Sequence, residues 1–153
     1  MNRQQFRERL QQAPLLLDGA MGTVLHGKGF SFDLCFDNLN LTDPAIVAAI
    51  HQAYIAAGAD IIETNSFGAN RVRMAEFNLA GKVAEVNTAA VTIARRAVAS
   101  SYKPILVGGS VGPLGVKLAP LGRVTVAEAE AAFDEQIAAL VAAGVDLLII
   151  ETM

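Results

Sequence analysis

The sequence predicts an α/β fold in which βα units repeat around a parallel sheet. Short apolar runs alternate with longer amphipathic stretches, which is typical of parallel strands connected by helices. The apolar runs are nearly continuous, which favours strands covered on both faces. A stretch that ends a helix with glycine and enters a strand through aspartate also occurs twice, at 52–60 and 138–146.

Four apolar runs are the predicted strands. They span Pro14–Asp18, Asp60–Thr64, Pro104–Ser110 and Asp146–Glu151. In the two repeated stretches, Gly58 and Gly144 precede a strand, and glycine tolerates the left-handed conformation that commonly ends a helix in a tight turn. Each of these helix ends is therefore predicted to be a glycine cap.

Three helices are predicted between the strands. The first is capped by Thr42 or Asp43 beside Pro44 and turns one face inward: Ile46, Val47, Ile50 and Tyr54. The second runs from about 81 to 97 and buries Val83, Val86, Ala90, Ile93 and Ala97. The third begins with a capping box, Thr125 and Glu128, and buries Phe133, Ile137, Leu140 and Val141. Residues 1–13 are predicted to form a polar helical turn or two.

Composition excludes several classes of protein. With 53% apolar and 18% charged residues, the chain is too apolar for a disordered segment and too interrupted by charge for a membrane span. A net charge of -3 with scattered basic residues gives no electrostatic footprint for nucleic acid. The segment 1–13 lacks the apolar core of a secretory signal. We therefore expect a cytoplasmic protein with neither a nucleic-acid nor a membrane partner.

The metal-ligating residue types are few. Cys35 is the single cysteine, so it cannot form an internal disulfide or a multi-thiolate metal site. We predict that it is a small buried apolar residue. His26 and His51 are predicted to be solvated or capping residues. No metal ligand is predicted in this chain.

Polar side chains follow each predicted strand. In parallel βα folds, ligands bind at the carboxyl ends of the strands, and the candidates there are Asp18, Glu63, Thr64, Asn65, Ser110 and Glu151. Strand alternation places Glu63 and Glu151 on the same relative face. These residues are therefore predicted to line one mouth of the fold.

Two carboxylates suggest a substrate with an ammonium group. Asp18 and Glu151 could both accept charge-assisted hydrogen bonds from it, and Thr64 could offer its hydroxyl or backbone amide to a carboxylate. Glu63, Asn65 and Ser110 are possible lining residues. The alternatives are that Glu63 and Glu151 are solvated strand ends and that the small-residue segment 18–23 is an ordinary βα turn.

A second small-residue segment, 108–113, ends the third predicted strand. Glycine-rich loops can bind phosphate through backbone amides. However, the next helix begins only near Thr125, so the tight loop-to-helix geometry is absent. A substrate-lining or packing role is the preferred interpretation.

Several separated motifs occur in the order found in one known family. The motifs are Leu16–Thr23, Ala57–Phe67, Gly108–Pro113 and Gly144–Thr152. Over nearly its whole length the chain resembles the homocysteine-binding domain shared by cobalamin-dependent methionine synthase, betaine-homocysteine methyltransferase and bacterial homocysteine S-methyltransferases. The resemblance implies a (β/α)8 TIM barrel, of which residues 1–153 would form the N-terminal half with about four strands.

The resemblance also implies the roles of particular residues. Asp18, Gly19, Thr64 and Glu151 would hold the amino-acid end of L-homocysteine while its thiol accepts a methyl group, giving methionine. Zinc in this family is held by three cysteine thiolates at positions absent here, so zinc is expected in the full-length domain and not in this chain. The resemblance leaves four donor classes open: a methyl-folate, methylcobalamin, betaine or a sulfonium.

Three interpretations remain at this point. In the preferred one, the chain is part of a zinc-dependent methyltransferase, inactive alone and completed by a C-terminal half or by self-association. Downstream sequence with a Cys and a later Cys-Cys would support it. The second is a stand-alone half-barrel that binds or assembles without catalysis, and the third is a phosphate-binding barrel enzyme. An open four-stranded sheet is the local alternative to a barrel.

Overall fold

The computed structural model describes residues 3–153. Its helices are α1 (Arg3–Gln12), α2 (Gly22–Gly27), α3 (Leu39–Thr42), α4 (Pro44–Ala57), α5 (Arg71–Ala75), α6 (Val83–Ala99) and α7 (Val126–Ala143). Its strands are β1 (Ile61–Glu63), β2 (Leu106–Val111) and β3 (Leu147–Ile150). Short 3₁₀ turns occupy Phe36–Asn38 and Ala80–Lys82. The first two residues of the predicted N-terminal turn lie outside the described residues.

The three strands form a parallel sheet in the order β1-β2-β3. Ile62 pairs with Val107, and Leu148 pairs with Gly109. Parallel neighbours need a crossover connection, and α6 and α7 lie in the two connections. The α/β prediction is therefore confirmed, with chain order and sheet order coinciding.

The first predicted strand, Pro14–Asp18, is reduced to a single parallel bridge between Leu17 and Ile61. The Asp18 amide donates to the Ile61 carbonyl at 3.0 Å, but the Leu16 amide turns to the Asp60 carboxylate at 2.9 Å. No described strand pairs with the outer side of this segment, and Leu16 is 56% exposed. The prediction of a full strand here is wrong, because its ladder stops at the Asp60 side chain.

Strand burial agrees with the sequence for β2 but not for β3. Every residue of β2 is buried, whereas β3 is only partly covered and Ile150 is 64% exposed. Among the described residues, β3 pairs with β2 alone and has no neighbour on its other edge. The predicted coverage of both faces is wrong for β3.

The helix ends follow the sequence closely. The Asp43 carboxylate accepts a hydrogen bond from the Ile46 amide at 3.3 Å, with Pro44 as the first helical residue. The capping box at the start of α7 is present in full. Gly58 and Gly144 end α4 and α7 with φ of 109° and 95°, which is the left-handed region that glycine tolerates.

Helix α6 buries its predicted face, and this face packs against both the sheet and the neighbouring helices. Its buried residues include all five of the predicted inward positions. In α7, by contrast, Val141 is 56% exposed, so its predicted burial is wrong, while Gln136 is fully buried. Ala132, Gln136 and Leu140 are spaced four residues apart and share one face, which turns Val141 outward.

His51 is not solvated, and that prediction is wrong. The side chain is fully buried, and neither ring nitrogen has a hydrogen-bond partner among the described residues. His51 lies one helical turn after Val47, on the inward face of α4. Burial lowers the pKa of His51 to about 4, because the charged form loses its hydration.

We expect His51→Leu to raise the free energy of unfolding by about 1–2 kcal/mol at pH 7, because it removes a buried donor with no partner. Below the unfolded pKa of about 6.5, the unfolded chain binds a proton that the folded chain excludes, so the wild type loses stability as pH falls. The advantage of the variant should therefore grow from pH 7 to pH 5. Urea denaturation at both pH values measures it.

The matched control is His26→Gln, because the His26 side chain is exposed and its replacement leaves the core unchanged. This variant should follow the wild type at both pH values. A pH dependence of His51→Leu identical to that of the wild type would contradict a neutral, buried His51.

Candidate substrate-binding site

A cleft of about 570 Å³ opens at the carboxyl ends of the strands. That volume lies within the range of small-molecule sites, roughly 300–1,000 Å³. All seven residues singled out in the sequence line it: Asp18, Gly19, Glu63, Thr64, Asn65, Ser110 and Glu151. The predicted convergence at one mouth is therefore confirmed, whereas contact with a substrate remains a prediction.

Three carboxyl groups meet in this cleft. Glu63 is the last residue of β1, Glu151 follows β3 directly, and Asp18 ends the segment beside β1. The Glu63 amide donates to the Asp18 carboxylate at 3.0 Å. The Ser110 hydroxyl donates to the Glu151 carboxylate at 2.6 Å. The backbone and Ser110 therefore fix two of the three acids.

Two of the three acids, Asp18 and Glu63, hold their protons more tightly than usual. Burial raises the pKa of Asp18 to about 6, with a small contribution from the charge of Glu151. Burial and then repulsion by Glu151 and Asp18 raise the pKa of Glu63 to about 7. Near neutral pH the cluster therefore retains protons that a bound cation would displace.

Thr64 is buried beneath the acids and is part of a hydrogen-bonded chain. The Ser66 hydroxyl donates to the Ser110 carbonyl at 2.8 Å. The single Ser66 proton is thus committed, so Thr64 Oγ1 is the donor in the 2.6 Å bond to Ser66. The Thr64 amide donates to the Gly108 carbonyl at 2.8 Å. Both Thr64 donors considered for a substrate carboxylate are therefore engaged within the protein.

Two backbone amides beside Asp18 have no such partner. The amides of Gly19 and Ala20 donate to no other part of residues 3–153. A Cβ on Gly19 would lie 2.9 Å from the Tyr54 hydroxyl oxygen, so glycine lets the chain pass close to this ring. The Tyr54 hydroxyl in turn donates to the Ala20 carbonyl at 2.9 Å.

Asn65 lines the cleft, but its amide group is turned toward the neighbouring segment. Its Nδ2 donates to the Phe36 carbonyl at 2.8 Å and to Asn40 Oδ1 at 3.2 Å. Asn65 therefore joins the cleft wall to the segment before α4.

The segment 108–113 does not form a phosphate-binding loop. Gly108 to Val111 are residues of β2 that pair with β3, and Gly108 also pairs with Glu63 of β1. The Ser110 amide donates to Thr64 Oγ1 at 3.1 Å, and the Gly112 amide donates to the Phe67 carbonyl at 2.9 Å. A Cβ at Gly112 would lie 2.5 Å from the Phe67 ring. These glycines are explained by close packing, as in the preferred interpretation, and the amides needed to bind phosphate are engaged.

Sequence reasoning missed other residues of the cleft wall: Phe36, Asp37, Phe67 and Arg73. Asp37 is buried and accepts the Gly68 amide at 2.9 Å, and burial raises its pKa. Nothing in the local pattern signals burial of this carboxylate, because its partner amide lies 31 residues away. Phe67 could have been found from its place at the end of the Ala57–Phe67 motif.

Cys35 is half-buried rather than buried, which corrects the prediction. Burial, and then the negative charge of Asp37, raises the pKa of Cys35 to about 11. A thiol with a raised pKa is a poor metal ligand, because metals bind the thiolate. Among residues 3–153, no three His, Cys, Asp or Glu side chains are arranged to hold a metal ion. The residues present do not fit a zinc site.

The model of the homocysteine S-methyltransferase family matches residues 15–153. The chain belongs to that family. It is 34% identical to the methionine synthase of Mycobacterium leprae (strain TN) over 154 residues, covering 95% of this chain and 13% of that protein. The methionine synthase of Mycobacterium tuberculosis (strain ATCC 25618 / H37Rv) is also 34% identical, with 94% and 13% coverage.

Solved structures of the same family share the fold. The metallated form of the homocysteine methyltransferase MmuM from Escherichia coli superposes with a TM-score of 0.80 at 29% identity, covering 96% of this chain and 57% of that chain. Its oxidized form gives a TM-score of 0.71 at 30% identity, with 88% and 51% coverage. The chain thus spans about half the length of MmuM and a much smaller share of the methionine synthases.

Among residues 3–153, no helix is both long and apolar enough to span a membrane.

Proposed function

We propose that this homocysteine S-methyltransferase family member binds the amino-acid end of L-homocysteine for methyl transfer to the thiol, which gives methionine. The observation that carries the proposal is the convergence of Asp18, Glu63 and Glu151 in one cleft. The family match supports homocysteine as the amino acid and does not favour the stand-alone binding or assembly module.

The ammonium group of the substrate is assigned to the acid cluster. A bound cation stabilises the ionised forms of Asp18 and Glu63 and relieves their repulsion with Glu151. Asp18 and Glu151 are held in place by the Glu63 amide and the Ser110 hydroxyl, so little side-chain entropy is lost on binding. The ammonium would thus donate its hydrogen bonds to carboxylates that are already in position.

The substrate carboxylate is assigned to the unpartnered amides of Gly19 and Ala20, next to Asp18. Backbone amides bind anions well when no internal acceptor competes for them. Thr64 lies beneath this position and supports the wall, since its own donors are engaged. Holding both ends of the amino acid fixes the direction of the thiol, which turns methyl transfer into a positioned event.

The complete catalytic domain is proposed to be a (β/α)8 barrel in which residues 1–153 form the N-terminal half. The open edge of β3 and the exposed Leu16 and Ile150 support further strands packing there. Zinc is proposed for the complete domain and would be held by residues outside this chain, because the residues present do not fit it. This chain by itself is proposed to bind and orient the substrate without catalysis.

Calorimetric titration with L-homocysteine under reducing conditions tests the proposal, with and without added zinc. Binding that does not require zinc is the expected result, because the amino-acid end is held by protein groups alone. L-methionine serves as a probe of the amino-acid end, and 4-mercaptobutanoate, which is homocysteine without the ammonium group, serves as the matched negative probe. Equal affinity for homocysteine and 4-mercaptobutanoate would refute the assignment of the acid cluster.

The affinity for L-homocysteine should increase with pH. Asp18 and Glu63 have pKa values of about 6 and about 7, and both must be ionised to bind the ammonium. Because they lose protons as pH rises, Kd should fall by about tenfold or more between pH 5.5 and pH 7.5. Calorimetry at one pH in buffers of different ionisation enthalpy should also show net proton release on binding. Proton uptake would contradict the raised pKa values.

A further inference from the structure

The loop that forms the cleft wall after β1, defined here as residues 65–69, is held by amide side chains from three helices. Gln136 of α7 donates to the Ser66 carbonyl at 2.7 Å. Asn87 of α6 donates to the Ala69 carbonyl at 2.8 Å. Both amides are fully buried, so water does not compete for these bonds.

The other carbonyls of the 65–69 loop are bound in the same way. Asn40 of α3 donates to the Asn65 carbonyl at 2.7 Å, and the Gly112 amide donates to the Phe67 carbonyl at 2.9 Å. Four carbonyls of one five-residue loop thus receive donors from elements distant in the sequence. Loops of this length are ordinarily mobile at the surface, whereas this loop is held by hydrogen bonds from the protein interior.

Each of the two helix amides satisfies a loop carbonyl but has a buried oxygen of its own without a partner. Asn87 Oδ1 and Gln136 Oε1 are buried and have no partner among the described residues. An unsatisfied buried acceptor costs about 1–3 kcal/mol, whereas an apolar residue of the same shape would have no such oxygen but would also remove the donor from the loop carbonyl. What the amides provide in return is the placement of two loop carbonyls.

The loop connects these amides to the residues that are proposed to form the substrate site. Ser66, whose carbonyl Gln136 holds, donates its hydroxyl to the Ser110 carbonyl and accepts from Thr64. The Ser110 hydroxyl then donates to Glu151. Two residues, Ser66 and Ser110, therefore link Gln136 to the Glu151 carboxylate through three successive side-chain hydrogen bonds.

We propose that Gln136 and Asn87 are positioning residues, which hold the 65–69 loop so that Thr64, Ser110 and Glu151 are aligned for the amino-acid substrate. The substrate part of this inference rests on the function proposed above. The alignment itself does not, because it concerns bonds within the protein. A near-isosteric apolar replacement should thus loosen the loop without removing any group that faces the cleft.

Gln136→Met is the decisive variant, and Ile137→Val is its matched control, since it removes volume from the next residue of α7 while leaving the loop bonds intact. Amide hydrogen exchange is read at Ala69 and Gly112, whose amides bond to the loop, and at Val107 in β2 as the reference. We expect Gln136→Met to speed exchange at Ala69 and Gly112 by at least tenfold over the control, with Val107 unchanged. Asn87→Leu should do the same.

Calorimetric titration of the same proteins with L-homocysteine tests whether holding the loop affects substrate binding. Gln136→Met should weaken L-homocysteine binding at least fivefold, while Ile137→Val binds as the wild type does. If exchange at Ala69 is no faster in Gln136→Met than in the control, Gln136 does not hold the 65–69 loop. If exchange is faster but Kd is unchanged, the loop is held by Gln136 without any effect on substrate binding. If the wild type itself does not bind homocysteine, the proposed function fails, and the exchange data still decide whether the amides hold the loop.

Discussion

We expect Asp18→Asn to weaken L-homocysteine binding by about 100-fold. Asparagine keeps an oxygen that can accept the Glu63 amide, so the local backbone is retained while the negative charge is lost. A charge-assisted hydrogen bond is worth roughly 1.5–3 kcal/mol, and tenfold in affinity corresponds to about 1.4 kcal/mol. Calorimetric titration at pH 7.5, where the wild-type carboxylate is ionised, measures the loss.

Asp134→Asn is the control for this prediction. Asp134 is an exposed residue of α7 that does not line the cleft, so this change alters the net charge equally and should leave Kd unchanged. The difference between the two variants should shrink at pH 5, because wild-type Asp18 then becomes protonated. An equal Kd for Asp18→Asn and the wild type at pH 7.5 would remove Asp18 from the binding site.

Gly112→Ala is expected to lower the free energy of unfolding by about 2–3 kcal/mol. Its Cβ would lie 2.5–2.7 Å from three carbons of the Phe67 ring, and overpacking of this kind typically costs about 1–3 kcal/mol. The ring cannot move freely, because the Phe67 carbonyl is bound to the Gly112 amide. Urea denaturation monitored by circular dichroism measures the change in midpoint.

Gly81→Ala is the matched glycine variant, because a Cβ at Gly81 meets no atom within 4 Å. Its φ is not in the left-handed region, so alanine should be neutral or stabilise the fold by up to about 1 kcal/mol. If Gly112→Ala is as stable as Gly81→Ala, the close approach of Phe67 to β2 is not a constraint on the sequence.

The sequence predicted which residues line the cleft, because the rule that places them is local. A strand end and the polar residue that follows it are adjacent in the chain, as with Ile62, Glu63 and Thr64, and parallel strands bring all such ends to one edge. Capping also uses neighbours within one turn, which is why Asp43 and Thr125 could be predicted. The strand alternation that placed Glu63 and Glu151 together needs only the period of two.

The errors arose where burial depends on partners distant in the sequence. His51 is a polar residue on an inward helix face, where its type alone predicts exposure. The sequence pattern made no prediction for Gln136, which lies on the inward face of α7. Gln136 is buried because it meets the Ser66 carbonyl, 70 residues away. For Val141 and β3 the sequence predicted too much burial. These apolar residues are exposed because no described element packs against them.

The sequence by itself determined the βα alternation, the glycine and aspartate helix caps, and the set of acids at the strand ends, because each depends on residues close together in the chain. Only the tertiary structure decided that the three acids share one cleft in which the pKa values of Asp18 and Glu63 are raised. It also decided that Thr64 has no free donor and that the 65–69 loop is held from three helices. The physical reason is that burial and long-range hydrogen bonds set these properties, and both depend on which elements pack together.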